Sequence, residues 1–157
     1  MYTAKQGFKT TDLLQFGLDH LKAARLLFEA SYETFDSAGH LAHLGMELLL
    51  KAILLSANGE FPNEHDLLAL VGAIRLQKPE FLKDTDLERI VEHFRPFAVI
   101  RYPDANGSKS VGSEDWEQIK RLREAIIEEM PQRLKNEIQR LDPTKKGGRI
   151  LMEMPKG

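Results

Sequence analysis

The feature that most constrains the fold is a helix-length stretch, residues 37–57, that is apolar on all sides except along one narrow polar stripe. The stripe consists of His40, His43, Glu47 and Lys51. At about 100° of rotation per residue, these positions fall within a sector of roughly 80° on one side of a helix. A helix with so little polar surface is typical of the buried centre of a bundle. Its polar side chains must be satisfied by one another, by water or by a ligand.

Composition predicts one intracellular globular domain. The chain has 157 residues, 42% of them hydrophobic, which suffices for a single core. The absence of cysteine excludes disulfides, thiolate metal sites and thiol catalysis. We find neither a signal-peptide pattern nor the ~18 uninterrupted apolar residues of a membrane span, and therefore expect a cytoplasmic protein without membrane contact. The formal net charge of −2 means that any nucleic-acid contact would need a local basic patch.

Helical periodicity recurs along most of the chain, and no segment alternates convincingly like a strand. Capping residues and prolines divide the chain into five predicted helices. The first spans residues 12–33, the central helix ends at Asn58-Gly59, and His65-Asp66 caps the third. The fourth begins at residues 84–86 and extends through Phe97 with a kink at Pro96, and the fifth runs from Ser113 to Leu141, where Pro131 kinks or breaks it. Short connections between them favour an all-α, up-and-down bundle of about five helices.

Two further features complete the predicted organisation. Small residues early in the central helix, Ala38, Gly39, Ala42 and Gly45, permit close approach of a neighbouring helix. Residues 1–141 are predicted to form the bundle, and residues 142–157 a basic, flexible tail. The apolar content of the central and fifth helices predicts a symmetric homodimer.

The polar stripe has a structural and a functional interpretation. Glu47 and Lys51, spaced i,i+4 with the acid first, form a helix salt bridge by default. His40 and His43 are spaced i,i+3, unlike the i,i+4 pair of zinc-binding helices, and no third ligand is evident. The sequence therefore predicts neither a metal nor a cofactor.

Arg101 is the candidate anion-binding residue. It follows Phe94 by seven residues and so would project from the apolar face near the end of the fourth helix. A guanidinium in that position needs a carboxylate, backbone carbonyls or a phosphate. Glu47 or Asp104 would give a structural ion pair, whereas a ligand would give a binding site.

Several short motifs occur in a specific order: Ser37-Ala38-Gly39-His40-Leu41-Ala42-His43, then Glu47 with Lys51-Ala52, then Phe61-Pro62, then His65-Asp66-Leu67, and finally Arg101-Tyr102-Pro103-Asp104. Together they resemble the HEPN domain family, and the similarity runs from about residue 21 to residue 141. The resemblance implies a bundle of four or five helices, commonly dimeric, found in prokaryotic toxin–antitoxin, defence and nucleotide-linked systems. Many relatives are metal-independent RNases, and others are non-catalytic binding modules.

The sequence departs from the RNase members of that family. These members resemble one another in an Arg that is followed, after four to six intervening residues, by a His. No Arg in this chain is followed by a His at that spacing, and the closest approach, from Arg89 to His93, is one residue too short. Cleavage by an RNA 2′-hydroxyl needs a general base and an acid or charge stabiliser at the phosphate. The resemblance therefore favours binding or assembly over catalysis, with no catalytic residue assigned.

Three hypotheses remain open. The first is a nucleotide- or RNA-associated module, acting as a homodimer or with a nucleotidyltransferase-like partner, whose candidate binding cleft contains His40, His43, Glu47, Lys51, His65, Arg101 and Tyr102. The second is an interaction protein in which the stripe is a satisfied, buried network. The third and least favoured is an RNase with a displaced His.

Overall fold

The computed structural model describes residues 1–95 and 111–141, and these form an all-α bundle, as predicted. The six helices in these ranges are α1 (Thr10–Ala30), α2 (Phe35–Asn58), α3 (Leu67–Arg75), α4 (Thr85–Phe94), α5 (Ser113–Glu128) and α6 (Gln132–Leu141). Two-residue strands, β1 (Tyr2–Thr3) and β2 (Glu60–Phe61), pair antiparallel. These strands are too short to show the alternation from which a strand is predicted.

The predicted helix boundaries are largely confirmed. Gly59 ends α2 in the left-handed conformation, with φ of 74°. The side chain of Asp66 accepts a hydrogen bond from the backbone N–H of Leu68 and caps α3. Asp84 caps α4 in the same way. Pro131 breaks the predicted fifth helix into α5 and α6, because a proline lacks the N–H that helix continuation requires.

The first helix is shorter than predicted. It ends at Ala30, and a separate 3₁₀ turn, Tyr32–Thr34, leads into α2. Ser31, between the two, is extended, and its hydroxyl accepts a hydrogen bond from the N–H of Glu33. The predicted kink at Pro96, the end of the fourth helix at Phe97 and the tail 142–157 lie outside the described residues.

Helix α2 is the centre of the bundle. Most of its residues are buried, and it packs along the length of α1. The stretch Tyr32–Asn58 is long and apolar enough to cross a membrane, but 78% of its most apolar window is buried inside the bundle. This burial is typical of a core helix. The polar stripe of α2 contacts His65, just before α3, and Phe94 at the end of α4.

Candidate functional site

Glu47 is the centre of a buried polar network on α2. Its Oε1 accepts a hydrogen bond from Lys51 Nζ at 2.7 Å and lies 2.9 Å from His65 Nδ1. Its Oε2 is 3.8 Å from His43 Nε2. Exposure of the three α2 residues is only 2% for His43, 4% for Glu47 and 5% for Lys51. These three stripe residues are thus satisfied within the protein, and His65, whose side chain is 55% exposed, connects them to the surface.

His43 joins α2 to two other parts of the chain through backbone carbonyls. Its Nε2 is 2.8 Å from the carbonyl oxygen of His65, and its Nδ1 is 3.2 Å from that of Phe94. Burial lowers the pKa of His43, and the contacts with these carbonyls and with Glu47 offset this only in part. A neutral imidazole has one N–H, so it donates to only one of two carbonyls. The shorter distance assigns that N–H to Nε2.

An ion pair lies beside the His43 contacts and links the same two segments. Arg95 donates to both carboxylate oxygens of Asp66 at 2.9–3.2 Å. The pair raises the pKa of Arg95, mainly through the hydrogen bond to Asp66 and secondly through that to Glu92. Because Asp66 also caps α3, the pair holds the start of α3 against the end of α4.

A second exposed imidazole is paired with a buried carboxylate at the start of α5. His93 Nε2 lies 2.9 Å from Asp115 Oδ1, and the other oxygen of Asp115 accepts a hydrogen bond from the backbone N–H of Gly112. The His93 side chain is 42% exposed, whereas that of Asp115 is 5% exposed. This pair ties α4 to α5 on the same part of the bundle as the Arg95–Asp66 pair.

The helical bundle corresponds to that of a known protein family. The HEPN domain model matches residues 10–142, which include all six helices. The chain belongs to the HEPN family. No curated protein and no solved structure matches the chain.

In this HEPN domain, the structure brings together four of the residues proposed from the sequence. His43, Glu47, Lys51 and His65 form one connected network. His40 lies one turn before them on α2, is half-buried, and is close enough to His43 to lower the pKa of that imidazole slightly. The remaining two candidates, Arg101 and Tyr102, lie outside the described residues.

Sequence reasoning missed the two ion pairs that surround this network, Arg95–Asp66 and His93–Asp115. The sequence indicates Asp66 only as a helix cap, and Arg95 follows the last turn of α4, where helical periodicity gives no indication of side-chain direction. The carboxylate of Asp115 lies in the first turn of α5, a position that is ordinarily attributed to the helix dipole. No spacing in the sequence pairs residues that are 22 and 29 positions apart.

The network residues on α2 are buried and lie outside the apolar cavity of the bundle. This cavity, of about 420 Å³, lies where α2, α3 and the α5–α6 junction meet. Its lining is mainly apolar and includes Ile53, Leu54, Ile74, Phe81 and Pro131. Among residues 1–95 and 111–141, no group of three or more His, Asp or Glu side chains could hold a metal ion.

The lowered pKa of His43 predicts a pH dependence of stability. In the unfolded chain this imidazole takes up a proton near its ordinary pKa of 6.5, whereas the folded protein resists protonation until a lower pH. The resulting stabilisation is therefore complete above pH 6.5 and is lost as the pH falls through the folded pKa. We expect the difference in unfolding free energy between wild type and His43→Leu to narrow between pH 7.5 and pH 5.5 in chemical denaturation. A difference that widens instead would show that folded His43 is charged.

Proposed function

We propose that this HEPN protein is a non-catalytic module that binds a ribonucleotide, either free or within RNA, by contacting its phosphate. The observation that carries the proposal is the exposed imidazole of His65 at the end of the buried network. Its Nδ1 is held by Glu47, and its Nε2 has no hydrogen-bond partner among residues 1–95 and 111–141. An imidazole oriented in this way can donate to a phosphate oxygen when protonated.

Arg101 and Tyr102 complete the proposed site. They follow Arg95 by six and seven residues, and the ion pair of Arg95 with Asp66 fixes where that segment begins, directly beside His65. Six residues span at most about 20 Å, so the Arg101 guanidinium can reach the neighbourhood of His65. A guanidinium and an imidazole would together supply the charge that a phosphate needs, although the chain as a whole is slightly acidic.

Binding can be tested with two probes, ATP and a short single-stranded RNA, at low salt. We expect Arg101→Ala to weaken binding at least ~10-fold, the size of one lost charge-assisted contact, without changing thermal stability. Arg89→Ala is the matched control, because that guanidinium is 68% exposed and pairs only with Asp86 in the described part of the chain. If neither probe binds the wild type, or if both variants weaken binding equally, the proposed site is wrong.

Absence of catalysis is the second part of the proposal. With no His at the RNase spacing after any Arg, the purified protein should not cleave RNA above background. His65→Ala and His93→Ala should leave that background unchanged. Metal-independent cleavage that either substitution abolishes would identify a displaced catalytic histidine.

The proposed setting is cytoplasmic, in a toxin–antitoxin or defence system, with the protein acting as a homodimer or with a nucleotidyltransferase-like partner. Family membership supports this setting, since nucleotide-linked HEPN modules commonly act as dimers or beside such enzymes. Co-purification with the product of a neighbouring nucleotidyltransferase-like gene would identify the partner.

A structural role is the second candidate function, and the burial of His43, Glu47 and Lys51 favours it. In that case Arg101 would pair with a buried carboxylate, and Arg101→Ala would destabilise the fold by about 3 kcal/mol or more. Strong destabilisation combined with no binding of ATP or RNA by the wild type would support this role.

A further inference from the structure

An uncharged apolar surface covers one side of the α1–α2 pair. It consists of Phe16, Ala23, Leu27, Leu41, Leu44 and Leu48, and we call it the α1–α2 face. The Phe16 side chain is 58% exposed, and the other five residues are only half-buried. An exposed phenylalanine and half-buried leucines on a helix that has already buried its other apolar stripe need a separate explanation.

The helix register shows that these residues lie on a single side. Gly17 of α1 faces Gly45 and Leu49 of α2, and Gly45 faces Leu21 in return. Each contact position is preceded by a residue of the face: Phe16 precedes Gly17, Leu44 precedes Gly45, and Leu48 precedes Leu49. A connection of four residues makes α1 and α2 antiparallel. In an antiparallel pair, positions one residue before the contact line lie on the same side of both helices.

Helix α5 does not cover this side. Val111, two residues before α5, lies against Gly39, and Gly39 is on the opposite flank of α2 from Leu41 and Leu44. The core near the start of α1 is closed by the β1–β2 ribbon, where Phe61 stacks on Tyr2. Although α5 and α6 also contact α1, Phe16 remains 58% exposed and the other five residues of the face remain half-buried.

The side of the helix pair on which the face lies is long enough to form the centre of an interface. From residue 16 to residue 30, α1 extends about 22 Å, and two packed helices are about 18 Å wide, which gives roughly 400 Å² in flat projection. Soluble monomers rarely expose a contiguous apolar patch of more than a few hundred Å². A stable interface buries about 800 Å² per partner, so residues around the face must contribute the remaining contact area.

The residues on the α1 part of the face are arranged so that they can pack against the same residues of a second copy. Phe16, Ala23 and Leu27 of the face follow the alternating three-and-four spacing of a helix seam, together with His20, which lies between Phe16 and Ala23, and Ala30, which follows Leu27. Around a two-fold axis midway between His20 and Ala23, an antiparallel copy of α1 would place Phe16 against Leu27 and His20 against Ala23. Each larger side chain would then meet a smaller one. None of the seam residues carries a carboxylate, an ammonium or a guanidinium.

We propose that the α1–α2 face is the interface between two copies of this chain, with α1 packed antiparallel on its symmetry mate and α2 beside it on each side. This rests on the proposed homodimer and locates its interface on α1 and α2, whereas the sequence indicated the central helix, which is α2, together with the fifth helix. An isologous contact of this kind closes after two copies, since each face is fully used by its mate.

Light scattering tests the interface directly. The wild type should have a mass near twice 17.9 kDa at micromolar concentrations, and Phe16→Glu should shift it to 17.9 kDa while circular dichroism keeps the helical signal. Leu76→Glu is the matched control, because Leu76 is 87% exposed and directly follows α3, a helix that does not contribute to the face. A wild-type monomer overturns both the dimer and its location. A dimer that persists in Phe16→Glu overturns the location alone and leaves the proposed dimer intact.

A cross-link provides an independent readout that does not depend on disrupting the fold. The chain contains no cysteine, so Ala23→Cys introduces the single thiol of the molecule. Near the proposed two-fold axis, oxidation should join two chains into a species of twice the monomer mass. Ala69→Cys, on the exposed side of α3, should stay monomeric on a denaturing gel. Equal cross-linking of both variants, or of neither, would contradict the antiparallel α1 contact.

Discussion

Glu47→Ala is expected to lower the free energy of unfolding by about 3–5 kcal/mol, because it leaves a buried ammonium without its carboxylate. Lys51 is only 5% exposed, and its Nζ donates to Glu47 at 2.7 Å. The same substitution removes the acceptor of His65. Chemical denaturation followed by circular dichroism measures the loss.

Two control experiments distinguish the cost of leaving a buried charge unpaired from the cost of losing a side chain. The pair Arg25–Glu29 has the same i,i+4 spacing but side chains that are 48% and 62% exposed, so Glu29→Ala should cost less than ~1 kcal/mol. The double replacement Glu47→Leu with Lys51→Met should recover most of the stability lost in Glu47→Ala, since it removes both buried charges. A cost for Glu47→Ala no larger than that for Glu29→Ala would contradict the structure of the network.

The polar stripe could be predicted from the sequence because helical periodicity places its members on one line. The same argument gives Asp66 and Asp84 as caps and Gly59 as the end of α2, since each depends on only three or four neighbouring residues. The order of the motifs along the chain was enough to indicate the HEPN family, which the family comparison confirms.

The partners of the stripe could not be predicted, because they are contributed by distant backbone. His43 contacts the carbonyl oxygens of His65 and Phe94, 22 and 51 residues away, and any residue type has such an oxygen. Whether Arg101 reaches this network stays a prediction, as does the ligand. The exposed apolar face of α1 could not be predicted either. Helix α1 carries two apolar stripes, and its periodicity in the sequence was explained by the buried stripe alone.

Gly45→Ala is expected to destabilise the bundle by about 1–3 kcal/mol, although alanine is the better helix former by up to ~1 kcal/mol. A Cβ at Gly45 would lie 2.7 Å from Leu21 Cγ and 2.8 Å from the carbonyl oxygen of Gly17. The second contact is with backbone, so relief requires α1 and α2 to move apart. The close approach that the small residues of the central helix predicted is thus located at the crossing of Gly17 and Gly45.

Gly72→Ala provides the matched control, and it is expected to change the free energy of unfolding in the opposite direction. Gly72 lies within α3 with nothing inside 4 Å of an added Cβ, so the same substitution there should stabilise the protein by up to ~1 kcal/mol. Because both changes add one methyl group to a helix, the difference between their unfolding free energies isolates the contact between α1 and α2. If Gly45→Ala stabilises the protein as much as Gly72→Ala does, the two helices are not packed at Gly17. In that case the register that puts Phe16, Leu44 and Leu48 on one face is wrong as well.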